Sequence, residues 1–523
     1  MSIKSSPSGN GEAYVIGVDS GTESCRAIIV NAEGKLVAES VVEYSTFYPK
    51  PGWAEQDPND IWRAVCESIK RVVKTSGVNP SKIVGIGVDG TTSTVIACDE
   101  HGKPLRKAIL WSDVRAALQA DRLTKTGHKL LKYYCGSISA ESIIAKALWL
   151  KENEPEIWNR AKYVVESTDW IIYKLTGRWT VSRCCAAVRG GYITELGGWP
   201  EDFFQQAGLE DMAEKRPAEV LPMGALVGKI KPDLAKELGL DPETVVAEGG
   251  TDAMAGCLGL GAIEEGRLAV VLGSSTVIQT NSKKPVFSEG IFITAPDAIV
   301  DNYWLHVTGE ASTGSVIKWF REQFGKVEEE IAKRTGKRVY ELLDEKAGKI
   351  PPGSEGIVVL QHWQGSRIYG DPLSRGIILG LTLASTKEHI YRAIVESTAY
   401  STNLSIELLR KGGIEVKSAW ACGGFTKSKF AMQLYADICG LRFYLPEVTQ
   451  AVALGSAITA TVAAGIYKDL HEAAQQMVRS KAVIEPNEKM HEKYQFYYEI
   501  YKELYHATKE LLHKISLHQL ETR

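Results

Sequence analysis

"YVIGVDSGTESCRAIIVNAEGKLVAES", residues Tyr14 to Ser40, decides how the rest of the chain is read. It holds two β-like apolar runs. Between them lie a single acid, Asp19, and a glycine–threonine pair, Gly21-Thr22. The segment 15–42 therefore reads strand, turn, strand, with Gly34 in the next turn. Further on, "KIVGIGVDGTTSTVIACDEHGKPL" (82–105) repeats the pattern: I-G-V-D, a glycine–threonine turn, an apolar strand and an acid–glycine turn. Between the two, "PNDIWRAVCESIKRVVKTS" (58–76) places Ile61, Val65, Ile69 and Val72 at helical spacing.

Working outward, helices are expected over 112–127, 140–160 and 166–176, the last stopping at Gly177. The stretch 249–280 changes character: a glycine-rich helix start, then a second strand-turn-strand around Gly273-Ser274-Ser275-Thr276. The domain boundary belongs here. A helix-rich stretch covers 312–348, and another helix runs from Lys387 to Gly412-Gly413. "SAWACGGFTKSKFAMQLYADICG" (418–440) reads strand, glycine turn, helix. The 487–518 tail is helical, with Tyr497, Tyr501, Leu504, Leu511 and Ile515 expected on one face. Alternating strands and helices give an α/β class. Hairpins opening each half require mixed sheets, since crossover helices alone make parallel ones. No linker is long, low-complexity or proline-rich, so the two halves should pack closely across a cleft.

Composition narrows the function. The chain has 523 residues, 44% of them hydrophobic, too many for a single core. Net charge is -3, without a basic block, so neither nucleic acid nor an anionic membrane is an expected partner. No apolar run approaches the ~18 residues of a membrane span. The first twelve residues read as a short disordered leader without the apolar core of a signal peptide. Nine cysteines without a C-x-x-C pair point to reduced thiols and a cytoplasmic enzyme. Adjacent Cys184-Cys185 read as small buried packing residues.

Familiar motifs are absent or misplaced. No G-x-x-x-x-G-K-[ST] occurs, and "HEAAQ" at 471 lacks the second His of H-E-x-x-H. "GIGVDG" (85–90) matches G-x-G-x-x-G, but a strand follows where a dinucleotide fold needs a helix. The hairpins are more informative. A turn whose glycine admits close approach aims backbone N–H groups at phosphate oxygens, and a preceding acid can hold Mg²⁺ through water. Asp19-Ser20-Gly21-Thr22 fits that pattern, and fits an ordinary hairpin turn equally. Two such hairpins, one per half, can clamp a polyphosphate across the cleft. In "GGTDA" (249–253) Asp252 is placed either to accept a proton from a hydroxyl nucleophile or to open a helix as its N-cap. Gly423-Gly424 either expose backbone to a nucleotide or make a tight αβ turn.

Over about residues 13 to 485 the chain resembles the FGGY family of carbohydrate kinases, in the actin/hexokinase/Hsp70-like superfamily. The stretches that carry the resemblance are "GIILGLTLASTKEHIYRAIVE" (376–396), the opening IGVDSGT, GGTDA, GSSTVIQT and "QAVALGSAITATVAAGIY" (450–467), in family order. "AKALWLKENEP" (145–155) fits the N-terminal signature in part, departing at Ala147 and just upstream. The resemblance implies two RNase H-like (actin-like ATPase) domains flanking a cleft, with helices on both faces of mixed sheets: 13–256 for sugar and metal, 257–485 for nucleotide, and 486–523 as a C-terminal helix. It implies ATP and Mg²⁺, phosphorylation of a terminal hydroxyl of a sugar or polyol, and closure on substrate. A homodimer is the working expectation.

Within the family, "STDWIIYKLTGRWTVSRCCAAVRGGY" (167–192) is most similar to kinases of ribulose-like ketopentoses, and "QHWQGSRIYGDPLSRG" (361–376) resembles a loop of the same group. Arg189 stands where ribulokinases usually have Lys. Kinases of xylulose, erythritol or glycerol are the alternatives; a sugar sensor without chemistry is the alternative of another class. The resemblance makes Asp252 the general base and Asp19 the metal holder. Gly21 and Thr22 would face the γ-phosphate, with Ser275 and Thr276 opposite. Gly314, Lys318, Gly424 and Ser428 match nucleotide contacts. Thr92 (through its backbone), Trp111, Asp113, Arg189 and Glu310 are the sugar candidates, with Trp111 and Asp113 equally readable as structural.

Overall fold

The computed structural model describes residues 13–522; the expected leader at 1–12 lies outside them. Two seven-stranded mixed sheets organise the molecule. In the first, Tyr14–Ser20 pairs antiparallel with Ser24–Asn31, and Ser24–Asn31 with Leu36–Glu43. On its other side Tyr14–Ser20 runs parallel to Ile83–Gly90. The sheet continues through Val245–Ala247 to Leu226–Lys229, with Gly250–Thr251 also paired to Ile83–Gly90.

The second sheet repeats this plan. Gly266–Leu272 pairs antiparallel with Thr276–Ser282, which pairs antiparallel with Trp304–Glu310. On its other side Gly266–Leu272 runs parallel to Val416–Cys422, followed by Phe443–Pro446. The two strand-turn-strand units read from sequence thus open two equivalent sheets.

The Pro58–Ser76 helix shows how local sequence sets these elements. Asp57 caps it, accepting the Asn59 N–H; Pro58 fits the first turn, and Gly77 ends it at φ +66°. Its Ile61, Val65, Ile69 and Val72 are all buried. They pack in one core with Ile16, Val18, Ala27 and Ile29 from the first two strands. The 312–348 stretch is three helices, Gly314–Phe324, Lys326–Thr335 and Val339–Ala347, with breaks at Gly325 and Gly336. Lys387–Lys411 begins where expected.

Two features depart from the sequence reading. The helix Ala451–Ala463 follows strands of the second sheet in the chain but lies on the first: Ala453, Ala457 and Ile458 share a core with Val15 and Val30. Its approach is backbone to backbone. A Cβ on Gly17 would lie 1.8 Å from the Ala453 oxygen, and one on Gly87 1.8 Å from that of Ser456. The same helix crosses Asp252–Gly259 just as closely, through Gly259 and Gly455. The second departure is the tail, Glu488–Glu521, which buries Tyr494, Tyr498, Tyr501, Leu504, Tyr505 and Leu512. The expected Leu511 and Ile515 face outward, because the buried stripe runs one residue out of phase there. Every cysteine is a free thiol, and all but Cys135 are buried. Among the described residues no helix is long and apolar enough to cross a membrane.

Candidate active site

Three adjacent strand ends bring three carboxylates together. Asp19 and Asp89 face each other in parallel register. Beside them Gly250–Thr251 pairs with Asp89 and Gly90 and leads directly into Asp252, first residue of its helix. Asp19 is buried and accepts a hydrogen bond from Arg26 Nη1 at 3.2 Å. Burial raises its carboxyl above the usual range against the pull of Arg26. Asp89 is fully buried; Ser456 Oγ donates to its Oδ2 at 2.5 Å, and Oδ1 has no hydrogen-bond partner. Burial, then the Asp19 charge, push Asp89 well above the carboxylate range. Asp252 Oδ1 accepts the Ala253 N–H at 2.7 Å and the Thr92 hydroxyl at 3.5 Å. Burial, then Asp19, push Asp252 up to about 7.

Sequence reasoning missed Asp89. The signal was present, since I-G-V-D recurs at 16–19 and 86–89, but only the parallel register sets the two acids side by side.

The two glycine turns differ in what supports them. Gly21 N–H donates to the Ser24 carbonyl at 3.1 Å, and Thr22 Oγ1 accepts the Trp111 indole N–H at 2.9 Å. The second turn rests on the start of Gly314–Phe324: Gly314 and Ser315 N–H donate to Gly273 and Ser274 carbonyls at 3.0 and 3.1 Å. A Cβ on Gly314 would stand 2.5 Å from the Gly273 oxygen, so only glycine allows this approach. The Thr276 hydroxyl pairs with that of Thr313 at 2.6 Å, and Ser275 lies at the turn. Gly423, at φ +103°, backs onto Leu272, which leaves Gly424 with open space beside it. The structure therefore gathers Ser275, Thr276, Gly314 and Gly424 at one end of the second sheet. Lys318, one turn into its helix, is exposed and 3.8 Å from Glu322. The Ser428 hydroxyl caps Lys429–Cys439 and donates to Asp344 Oδ2 at 2.7 Å, so it serves the helix start.

Of the sugar candidates, Thr92 touches Asp252 and Trp111 touches Thr22. Arg189 sits in a π-helical turn, Ala186–Gly190, and pairs with Glu141 at 2.9 Å. Glu310 ends its strand opposite Thr276 and accepts Ser366 Oγ at 2.8 Å and the Arg367 N–H at 2.7 Å; burial raises its carboxyl. Asp113 takes the structural one of its two readings. It is fully buried, and both oxygens are taken, by the Arg115 guanidinium and by the Ala54 N–H at 2.6 Å. It braces the Trp111 loop and has no oxygen left for a substrate hydroxyl.

Residues 14–259 match the model of the FGGY family of carbohydrate kinases, N-terminal domain, and residues 268–464 that of the C-terminal domain. The chain belongs to the FGGY family of carbohydrate kinases. It is an enzyme, a phosphotransferase. It is 32% identical over 503 residues to the ribulokinase of Geobacillus thermodenitrificans, covering 89% of each chain. It is 31% identical to the FGGY carbohydrate kinase domain-containing protein of Homo sapiens, over 96% of this chain and 98% of that one. Among solved structures, a xylulose kinase from Lactobacillus acidophilus superimposes with a TM-score of 0.85 at 25% identity, over 96% of this kinase and all (100%) of that chain. A gluconate kinase from the same organism gives 0.85 at 25%, over 95% and 98%. The two repeated sheets of this kinase are thus the actin-like ATPase fold.

Proposed function

We propose that this kinase transfers the γ-phosphoryl group of ATP to a terminal hydroxyl of a ribulose-like ketopentose. The observation that carries the chemistry is Asp252, a carboxyl raised to about 7, open to Thr92 and placed at a helix start between the two sheets. A base of that pKa accepts the hydroxyl proton near neutral pH as the oxygen attacks phosphorus. The two glycine turns supply backbone donors to the phosphates from opposite domains, so most of the catalysis is positioning and charge stabilisation. The ketopentose assignment is supported by the ribulokinase relatives and by the similarity of 167–192 to such kinases. Arg189 is the departure, and it leaves xylulose, erythritol and glycerol as the comparison substrates.

The acids fit Mg²⁺. Asp89 Oδ1 is buried opposite Asp19 without a hydrogen-bond partner, and Mg²⁺ prefers few carboxylates, retained waters and phosphate oxygens. Asp19 would hold it, mainly through water, with the unpartnered Asp89 Oδ1 beside it. The ion would neutralise charge on the phosphates. Asp19→Ala is expected to raise the Mg²⁺ concentration needed for half-maximal rate while leaving sugar binding, followed by thermal shift, near the parent value. Parallel loss of both would mean that Asp19 only supports the fold.

A substrate panel of L-ribulose, D-ribulose, xylulose, erythritol and glycerol tests the assignment; a ribulose should show the highest kcat/KM. Arg189→Lys keeps the charge but replaces a planar fork by a compact ammonium. It is expected to reorder the panel with KM for ATP unchanged. The same ranking in both proteins would mean that Arg189 does not face the sugar.

A further inference from the structure

The turn that carries Thr92 to Asp252 contains one residue in an unfavourable backbone conformation. Ser93 has φ +60°, a left-handed value that costs a non-glycine residue free energy and persists only where surroundings impose it. Two side chains from other elements hold it at both ends. Its N–H donates to Glu166 Oε2 at 2.6 Å and its hydroxyl to Oε1 at 3.3 Å. Its carbonyl accepts from Lys146 Nζ at 2.8 Å. The same ammonium donates to the Leu110 carbonyl at 2.8 Å and to that of Trp111 at 3.3 Å. One cation therefore ties the Thr91–Thr94 turn to the Trp111 loop. The turn is closed further by Thr94 Oγ1, which accepts the Trp111 N–H at 3.3 Å and pairs with Thr91 Oγ1 at 2.5 Å.

Lys146 comes from the helix Ile143–Asn153 and Glu166 from the end of the strand Tyr163–Glu166. Lys146 is 0% exposed and Glu166 3%, an expensive place for either charge. Burial drives Lys146 down and Glu166 up, each to about 7, with Glu141, Asp113 and Arg189 also acting on the lysine. Replacing such buried polar groups by apolar ones of like volume often leaves stability equal or greater. Plain stability is therefore a poor reason for them, and the geometry they impose on Ser93 is a specific one.

We propose that Lys146 and Glu166 are positioning residues that together hold Ser93 left-handed, and so present the Thr92 backbone and Trp111 to the sugar. This rests on the reading of Thr92 and Trp111 as sugar contacts.

The test is steady-state kinetics on the full-length enzyme with L-ribulose, D-ribulose, xylulose, erythritol and glycerol, varying sugar and ATP separately. Lys146→Met keeps the apolar stem and removes the donors. KM for the best sugar should rise about tenfold, the loss expected when charge-assisted hydrogen bonds to a site loop are removed, while KM for ATP stays put. Adding Ser93→Gly should recover much of that loss, because glycine adopts the left-handed conformation without being held there. A purely structural role would move both KM values together and would not respond to Ser93→Gly. An unchanged sugar KM, or no recovery in the double variant, overturns the proposal. If Lys146→Met does not accumulate as folded protein, Glu166→Leu takes its place: it keeps much of the volume and removes both acceptors that hold the Ser93 N–H and hydroxyl. A rise in sugar KM that Ser93→Gly reverses supports the proposal, and a parental sugar KM overturns it. Asp252→Asn is assayed alongside. Its loss of turnover together with a parental sugar KM in Lys146→Met sinks this inference alone. A parent enzyme inactive on the whole panel sinks the functional reading and this inference with it.

Discussion

Replacing Asp252 by Asn should lower kcat by a factor of ~10²–10⁴, the range for loss of a general base. The amide has nearly the shape of the carboxyl and can keep its oxygen on the Ala253 N–H, but it cannot take a proton. ATP and sugar should bind as before. The sign of the pH effect follows from the raised pKa. In the parent, kcat/KM should climb as pH rises through about 7, where Asp252 loses its proton, and the residual rate of the variant should lack that limb. Stability moves the other way. A carboxyl whose folded pKa lies above its unfolded value destabilises the fold progressively from about pH 4 up to about 7, because the unfolded chain ionises first. Asn removes that penalty. The variant should therefore melt at the parent's temperature or higher at pH 8, which separates lost chemistry from lost folding. Retention of more than roughly a tenth of kcat would refute the base assignment.

Replacing Gly455 by Val should cost both stability and activity. A Cβ at Gly455 would lie 1.8 Å from the Ala255 carbonyl oxygen, a backbone atom that cannot swing aside. The two helices must separate, at a cost near or above ~3 kcal/mol for overpacking. Ala255 lies in the first turn of the helix that Asp252 opens, so separation also displaces the base. The melting temperature should fall and kcat with it. Gly424→Val is the contrast. Nothing lies within 4 Å of a Cβ there, so stability should hold while KM for ATP rises. Equal melting of Gly455→Val and the parent would contradict the helix crossing.

How much of this was legible in the sequence depends on how far apart the cooperating residues are. The opening hairpin, the second one at 273–276 and the Pro58–Ser76 helix are set by local pattern, and all three stand where the residues place them. The acid and glycine types at 19–22, 249–253 and 273–276 were also readable, because the turns that use them are local. What escaped was tertiary. Asp89 matters through its register with Asp19, which no spacing reveals. The resemblance left Asp113 between a sugar contact and a structural role, whereas its oxygens are satisfied by Arg115 two residues on and by Ala54 from far upstream. Lys146 was part of a recognised stretch, but nothing in that stretch shows that its ammonium is buried beneath the turn at 91–94. The return of Ala451–Ala463 to the first sheet was hidden for the same reason: its small residues fit a partner brought in from residues 17 and 87.

Sugar-dependent phosphoryl transfer is read directly by ³¹P NMR. The kinase is incubated with Mg²⁺ and ATP, with and without L-ribulose, D-ribulose and xylulose in turn. ADP should form only when the sugar is present, with a new phosphomonoester resonance coupled to a terminal CH₂, and neither should appear with the Asp252→Asn protein. A sugar that raises the melting temperature of the parent while ATP stays intact would contradict this and point to a sensor instead.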